Sequence, residues 1–204
     1  MHPRLRWVLT GLIVCCAAAI AGVLLADRGN DGGAAAKTAG EFEGALRPPG
    51  VPPKDFTLRD QDGKAASLAT YRGRVVVLTF MYSTCQDTCP LQADQIRGAL
   101  DDLGGDAPPA LTVSVDPSGD TPDRAKSFLL KHALTGRMRF LLGSRAELAP
   151  IWKAYGIQPQ GAEFDHSAYV LLIDKEGRQR IGFPLNQLTP EGLAHDVRLL
   201  EAAT

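Results

Sequence analysis

This sequence contains few cysteines and has almost no net charge. Four of its 204 residues are Cys, and 22 Lys and Arg nearly balance 23 Asp and Glu, giving a formal net charge of −1. So few cysteines exclude a small scaffold held together by disulfides. A near-neutral chain without a basic stripe also lacks the charge that nucleic-acid binding requires, so no nucleic-acid partner is expected. The sequence has no internal repeats, and its length predicts one domain with appendages.

Charge is absent altogether from one stretch near the N-terminus. Residues 7–26 read WVLTGLIVCCAAAIAGVLLA, and this mainly apolar stretch is long enough for a helix that spans the roughly 30 Å hydrocarbon core of a membrane. Residues 1–6 carry two Arg, so the positive-inside tendency predicts a cytoplasmic N-terminus and an exported C-terminal part. Cys15 and Cys16 lie inside the stretch, where we interpret them as small apolar residues. The prediction is an uncleaved, single-pass transmembrane helix; a cleaved signal peptide and a lipoprotein are the alternatives.

The stretch that follows has no periodic apolar pattern. Residues 27–53 are dominated by Gly, Ala and Pro, a composition that is typical of a linker between a membrane anchor and a domain. The folded domain is therefore predicted over residues 54–204, on the periplasmic or extracytoplasmic side of the membrane.

Strand and helix signals alternate along this domain. The apolar, β-branched run at residues 75–82 predicts a fully buried central strand. Helices are predicted after this strand and behind the cap residues Thr121, Ser144 and Thr189. The order of elements predicts an α/β, thioredoxin-like fold in which helices flank a mixed central sheet. The other strand signals lie on both sides of a turn at residues 62–63, and at residues 110–116, 138–142, 168–174 and 178–183.

Two cysteines directly follow the predicted central strand. They are Cys85 and Cys89, in the segment YSTCQDTCPLQ of residues 82–92. The carboxyl end of a central strand is where α/β folds place their sites. A helix that begins around these residues would put both thiols on one face, one turn apart, where the helix N-terminus favours thiolates. Two such thiolates are either a redox pair or half of a metal site.

A metal site needs a third ligand, and histidine is the candidate. His2 precedes the apolar stretch, while His132 and His195 lie in helical patterns among polar residues and are predicted to be exposed. His166 lies in EFDHSAYVLLID, in the loop just before a predicted buried strand. In a thioredoxin-like sheet, that end of the strand faces the turn with the cysteines.

Two thiolates and one imidazole form a soft set of donors. This set suits Cu(I), and it can hold Cu(II) when an oxygen ligand joins. Zinc also accepts two cysteines and one histidine, usually with a fourth ligand or a water. Asp87 or Asp165 could supply a carboxylate oxygen. Ligand type alone therefore predicts copper or zinc and does not choose between them.

Four segments, in the same order along the chain, resemble the SCO/SenC family of copper proteins. They are TFMYSTCQDTCP, SVDPSGDTPD, ALTGRMRFLLG and DHSAYVLLIDKEG, which begin at residues 79, 114, 133 and 165. The resemblance extends over about 150 residues, from Asp55 to the C-terminus. Ser83 stands where the family commonly has Thr, and Gln86 stands where it commonly has Pro.

The resemblance implies roles for individual residues. Cys85, Cys89 and His166 match the copper ligands of the family, and Asp87 and Asp165 match positions to which we give only a supporting role. Copper, as Cu(I) or Cu(II), is therefore the expected metal. Ser83 and Gln86 depart from the family pattern without touching a ligand.

The resemblance also implies a function. Family members are associated with building the CuA centre of cytochrome c oxidase, which implies a copper metallochaperone whose partner is cytochrome c oxidase subunit II. Further expected partners are other copper chaperones and an extracytoplasmic thiol reductase. Other members are associated with thiol reduction, so the alternative is a membrane-anchored thiol–disulfide oxidoreductase that reduces the CuA-site cysteines or acts in redox defence, with Cys85 and Cys89 as its redox pair. A peroxiredoxin is not favoured, because Leu78 and Tyr82 stand where those enzymes have Pro and Thr.

Overall fold

The computed structural model describes residues 42–48, 54–159 and 168–203. The transmembrane helix predicted over residues 7–26 lies outside these ranges. Among the described helices, none is long and apolar enough to cross a membrane. The described residues form the domain that carries the two candidate cysteines.

One mixed sheet of eight strands forms the centre of the described domain. Its order is β1-β8-β7-β4-β5-β6-β2-β3, where the strands are β1 (Ala45–Leu46), β2 (Thr57–Asp60), β3 (Ala65–Ser67), β4 (Val76–Met81), β5 (Ala110–Ser114), β6 (Met138–Leu142), β7 (Tyr169–Ile173) and β8 (Gln179–Pro184). β5 runs parallel to both β4 and β6, while the other neighbouring strands are antiparallel. The mixed sheet predicted from the sequence is confirmed.

Helices cover both faces of the sheet, as the sequence predicted. Three helices contribute apolar side chains to the core on one face, and one helix contributes to the core on the other face. The first three are α1 (Thr88–Leu103), α2 (Pro122–Lys131) and α4 (Pro190–Ala202), and the fourth is α3 (Arg145–Tyr155).

Side-chain caps fix where three of these helices begin, namely α2, α3 and α4. The side chain of Thr121 accepts a hydrogen bond from the N–H of Arg124 at the start of α2. Ser144 and Glu147 form a capping box at the start of α3. Each cap satisfies an N–H group that has no acceptor within its own helix. Thr189 caps α4 in the same way. The helix starts that the sequence predicted behind Thr121, Ser144 and Thr189 are therefore confirmed.

Strand β4 is buried along its whole length. Because successive side chains point to opposite faces of a sheet, Val77 and Met81 pack into the core beneath α1, α2 and α4, while Leu78 and Phe80 pack into the core beneath α3. Burial on both faces explains why the sequence shows a continuous apolar run rather than an alternating pattern. The predicted buried central strand is confirmed.

Strand β1 lies within the stretch that the sequence predicted as a linker. Ala45 pairs with Gly182 of β8, which extends the sheet by one short strand. The fully buried carboxylate of Asp196 in α4 accepts hydrogen bonds from the N–H groups of Glu43 and Gly44, at 2.8 Å each. These contacts attach part of the predicted linker to the folded domain.

Several strands begin or end at the same end of the sheet. β4 and β5 end there, at Met81 and Ser114, and the antiparallel strand β7 begins there, at Tyr169. β8 ends beside the start of β7, at Pro184. We call this the cysteine end, because both candidate cysteines follow β4. β1 is antiparallel to β8, so Phe42 also lies toward the cysteine end.

Candidate metal centre

Cys85 and Cys89 lie around the start of helix α1. β4 ends at Met81, and the chain then turns so that the N–H of Cys85 donates to the carbonyl of Tyr82 at 3.3 Å. α1 begins at Thr88, so Cys85 precedes the helix and Cys89 lies in its first turn. The N–H of Cys89 donates to the Sγ of Cys85 at 3.3 Å. The structure thus brings the two cysteines together, and the sulfur of Cys85 accepts one of the N–H groups that a helix start leaves without an internal acceptor.

The contact with Cys85 and full burial together give Cys89 a distinct chemistry. About 7% of Cys85 is exposed, whereas Cys89 is fully buried. The hydrogen bond with the Cys85 side chain, followed by burial, raises the pKa of Cys89 far above that of an ordinary thiol. The prediction that the helix start favours a thiolate at both positions is therefore wrong for Cys89. Its proton must leave when a metal ion binds, because the ligand is the thiolate.

This difference predicts the order in which the two thiols react. In the reduced full chain, we expect iodoacetamide to modify Cys85 about tenfold faster than Cys89, because the reactive species is an accessible thiolate. Peptide-resolved mass spectrometry over a time course measures both rates. In the matched control Cys85→Ser, Cys89 should remain slow to react. Equal modification of the two cysteines in the unaltered chain would contradict the assigned burial.

His166 and Asp165 lie outside the described residues. The described chain resumes at Ala168, and the Oγ1 of Thr79 in β4 donates to the carbonyl of Tyr169 at 3.0 Å. β7 is therefore fixed to β4 at its first residue, at the cysteine end. The described chain thus resumes, two residues after His166, at the end of the sheet that carries the cysteines.

The described residues provide two candidate ligands and no complete site. Across residues 42–48, 54–159 and 168–203, no three His, Cys, Asp or Glu side chains converge to hold a metal ion. Asp87, predicted in a supporting role, is exposed at the position before α1, and its side chain does not cap the helix. A third ligand therefore remains a prediction.

Two consecutive hydrogen bonds made by buried side chains near the cysteines were not predicted. Gln92 lies one helical turn after Cys89 and is fully buried, and its Nε2 donates to the Oγ1 of Thr79 at 2.7 Å. Thr79 in turn donates to the carbonyl of Tyr169. These two hydrogen bonds connect α1, β4 and β7 beneath the cysteine end. The signal in the sequence was Thr79, the one polar residue in the apolar run VVVLTFM.

His132, which the sequence predicted to be exposed, is buried. It follows the last residue of α2, with about 8% of the residue exposed. Its ring packs against Phe128 with centroids 4.6 Å apart, and its Nδ1 lies 3.2 Å from a carboxylate oxygen of Asp94 in α1. The prediction is wrong because α2 packs this residue against α1. His195 has 43% of its side chain exposed, in agreement with its prediction.

Two solved structures have a fold similar to that of this chain. The structure of Bradyrhizobium japonicum ScoI with copper bound is 30% identical, with a TM-score of 0.58, and the match covers 72% of this chain and 98% of that chain. The structure of BsSco, described as a member of the Sco family of cytochrome c oxidase assembly proteins with a disulfide switch, is 21% identical. Its TM-score is 0.67, and the match covers 78% of this chain and 99% of that chain. The predicted thioredoxin-like, mixed α/β fold is thereby confirmed.

Sequence comparison leads to the same group of proteins. The protein SCO2 of Saccharomyces cerevisiae mitochondria is 31% identical over 137 residues, which are 60% of this chain and 44% of that protein. The matched region thus spans less than half the length of this relative. The family model described as SCO1/SenC matches residues 48–201, which include Cys85, Cys89 and His166. This chain therefore belongs to the SCO1/SenC family.

Proposed function

We propose that this chain is a copper metallochaperone that delivers copper to the CuA centre of cytochrome c oxidase subunit II. The observation that carries the proposal is the cysteine pair, in which the N–H of Cys89 lies 3.3 Å from the Sγ of Cys85 at the end of the central strand. Two relatives support it: ScoI of Bradyrhizobium japonicum, solved with copper bound, and BsSco, described as belonging to cytochrome c oxidase assembly proteins.

The proposed ligands are Cys85, Cys89 and His166, with Asp87 and Asp165 in a supporting role. Thiolate and imidazole donors suit Cu(I), although the same donors also accept zinc. Because the proposed chaperone delivers copper, it must release the ion as well as bind it. Three ligands keep a coordination position accessible to a thiolate of the recipient, whereas four protein ligands would close the site to exchange.

The proposed location is the outer side of a membrane. Residues 7–26 would anchor the chain with a cytoplasmic N-terminus, residues 27–53 would link the anchor to the domain, and residues 54–204 would be exported. An exported domain can meet the CuA-bearing part of the oxidase, other copper chaperones and an extracytoplasmic thiol reductase.

A thiol–disulfide oxidoreductase is the second candidate. It is favoured by the same contact, because a buried thiol of raised pKa beside a more accessible one suits a pair in which Cys85 attacks and Cys89 resolves. BsSco is described as having a disulfide switch. In this alternative, the chain reduces the cysteines of the CuA site, or acts in redox defence, without carrying copper.

Rescue of a deletion strain separates the two candidates. We expect deletion to lower cytochrome c oxidase activity while the oxidase polypeptides persist, because the CuA centre stays empty. Added copper should then restore activity at least in part, because mass action compensates for lost delivery. A lost thiol reductase should respond to an added reductant and not to copper. Oxidase activity is measured with copper, with reductant and with neither.

Complementation supplies the control for this experiment. The unaltered gene should restore activity, and the His166→Ala gene should not. Undiminished oxidase activity after deletion would remove oxidase assembly as the main role. Full complementation by His166→Ala would instead favour the oxidoreductase.

A further inference from the structure

A partly buried carboxylate holds the start of the turn that carries Cys85. Asp120 lies between the ends of β4 and β5, and its Oδ1 accepts two hydrogen bonds from Ser83, one from the N–H at 2.7 Å and one from the Oγ at 2.6 Å. Its Oδ2 accepts a third hydrogen bond from the Oγ of Ser114, the last residue of β5, at 2.5 Å. One carboxylate therefore connects the turn after β4 to the neighbouring strand.

The loop between β5 and α2 keeps Asp120 in place. The N–H of Asp120 donates to the carbonyl of Asp116 at 2.9 Å. The Oδ1 of Asp116 accepts hydrogen bonds from the N–H of Gly119 at 3.0 Å and from the Oγ of Ser118 at 2.6 Å. On its other side, Asp120 is followed by Thr121, which caps α2. The carboxylate is thus supported by a turn with its own internal hydrogen bonds.

Ser83 connects Asp120 to the turn that contains Cys85, the candidate ligand. Ser83 is the second residue of the turn in which the N–H of Cys85 donates to the carbonyl of Tyr82. Fixing both polar groups of Ser83 therefore restrains the backbone two residues before the Cys85 sulfur. Burial raises the pKa of Asp120, and the hydrogen bonds from Ser114 and Ser83 oppose that shift.

We propose that Asp120 is a positioning residue of the metal centre, which holds Cys85 in its metal-binding position through Ser83. The proposal rests on the proposed function only for the experiments that measure copper binding. It also explains why Ser83 can stand where the family commonly has Thr, since both side chains present a hydroxyl that donates to the same carboxylate oxygen.

Loss of the carboxylate should weaken copper binding without removing a ligand. Asp120→Ala leaves the N–H and Oγ of Ser83 without this acceptor, so the turn occupies its binding-competent position for only part of the time. The apparent affinity falls in proportion to the fraction of chains that remain binding-competent. We expect the affinity of the reduced full chain for Cu(I) to fall about tenfold. Asp120→Asn retains an acceptor oxygen for Ser83 and should stay within about threefold of the unaltered chain.

Cu(I) titration against a competing chelator, performed on the detergent-purified full chain, measures these affinities. Ser83→Ala should weaken binding less than Asp120→Ala, because the backbone N–H remains bonded, and Ser83→Thr should retain it. Asp123→Ala is the matched control, since this exposed carboxylate lies three residues after Asp120 in the first turn of α2. Melting temperature, recorded for each variant, identifies any general loss of stability.

The rate at which iodoacetamide modifies Cys85 supplies a readout that needs no metal. Asp120→Ala should raise this rate about tenfold, because a loosened turn exposes the thiol, while Asp120→Asn and Asp123→Ala should leave it near that of the unaltered chain. If the unaltered chain fails to bind Cu(I), the proposed function is wrong, and this rate alone decides the role of Asp120.

Three results would overturn the proposal. One is an Asp120→Ala chain with both affinity and modification rate unchanged. Another is an equal loss in Asp120→Asn and Asp120→Ala, which would assign the effect to charge rather than to position. If Asp120→Ala fails to fold, Ser83→Ala decides, and unchanged behaviour of that variant would reject the role.

Discussion

Replacing either Cys85 or Cys89 with Ala will abolish tight copper binding. Each change removes one of two adjacent thiolate donors, and the remaining donors cannot hold Cu(I) against a competing chelator. We expect affinity to fall at least about a hundredfold, or roughly 2.7 kcal/mol. Anaerobic titration of the reduced full chain with Cu(I) measures the affinity, and the unaltered chain should bind one copper ion.

The remaining two cysteines of the chain provide the matched control. Cys15 and Cys16 lie in the apolar stretch of residues 7–26, far along the chain from the Cys85–Cys89 pair. A chain with both changed to Ala should retain the stoichiometry and affinity of the unaltered chain. Tight binding by Cys85→Ala or Cys89→Ala would show that the cysteine pair is not the copper site.

Replacing His166 with Ala will separate copper binding from thiol chemistry. We expect a loss of affinity for Cu(I) of about a hundredfold, because two thiolates remain without the third donor. The Cys85–Cys89 pair should still form a disulfide and be reduced again, because thiol–disulfide exchange does not need an imidazole. Copper titration and alkylation of the oxidised and reduced chain measure the two properties on the same preparation.

His195→Ala is the control for this experiment, since that histidine lies partly exposed in α4. It should change neither copper affinity nor disulfide formation. If His166→Ala binds copper as tightly as the unaltered chain, His166 is not a ligand, and the oxidoreductase gains support. If the variant also fails to form the disulfide, the change has disturbed the fold rather than the donor set.

Local signals explain which elements of the fold could be predicted. The short strand β6 (Met138–Leu142) matches its predicted bounds, and α3 begins behind the predicted cap residue Ser144. In both cases, the determining residues are close together in the sequence. β1 could not be predicted, because two residues in a Gly-, Ala- and Pro-rich stretch become a strand through contacts with β8 and Asp196, far along the chain.

In the candidate site too, some features follow from nearby residues in the sequence and others depend on distant contacts. The position of Cys85 and Cys89 after a buried strand was sufficient to predict that they lie together. The full burial of Cys89 and the burial of His132 depend on which elements pack around them, and no local pattern reports that. Asp120 lay in a segment that resembled the family, but its role requires the distances to Ser83 that only the folded chain shows.

The two termini of the described domain determine how it should be attached to a sensor surface. Phe42 lies toward the cysteine end, whereas Ala203, after α4, accepts a hydrogen bond at its carbonyl from Lys175, just beyond the opposite end of β7. Immobilisation through a C-terminal tag therefore leaves the cysteine end facing the solution, where a recipient domain can approach it. Immobilisation close to Phe42 would place the support beside the face at which the proposed function requires metal exchange.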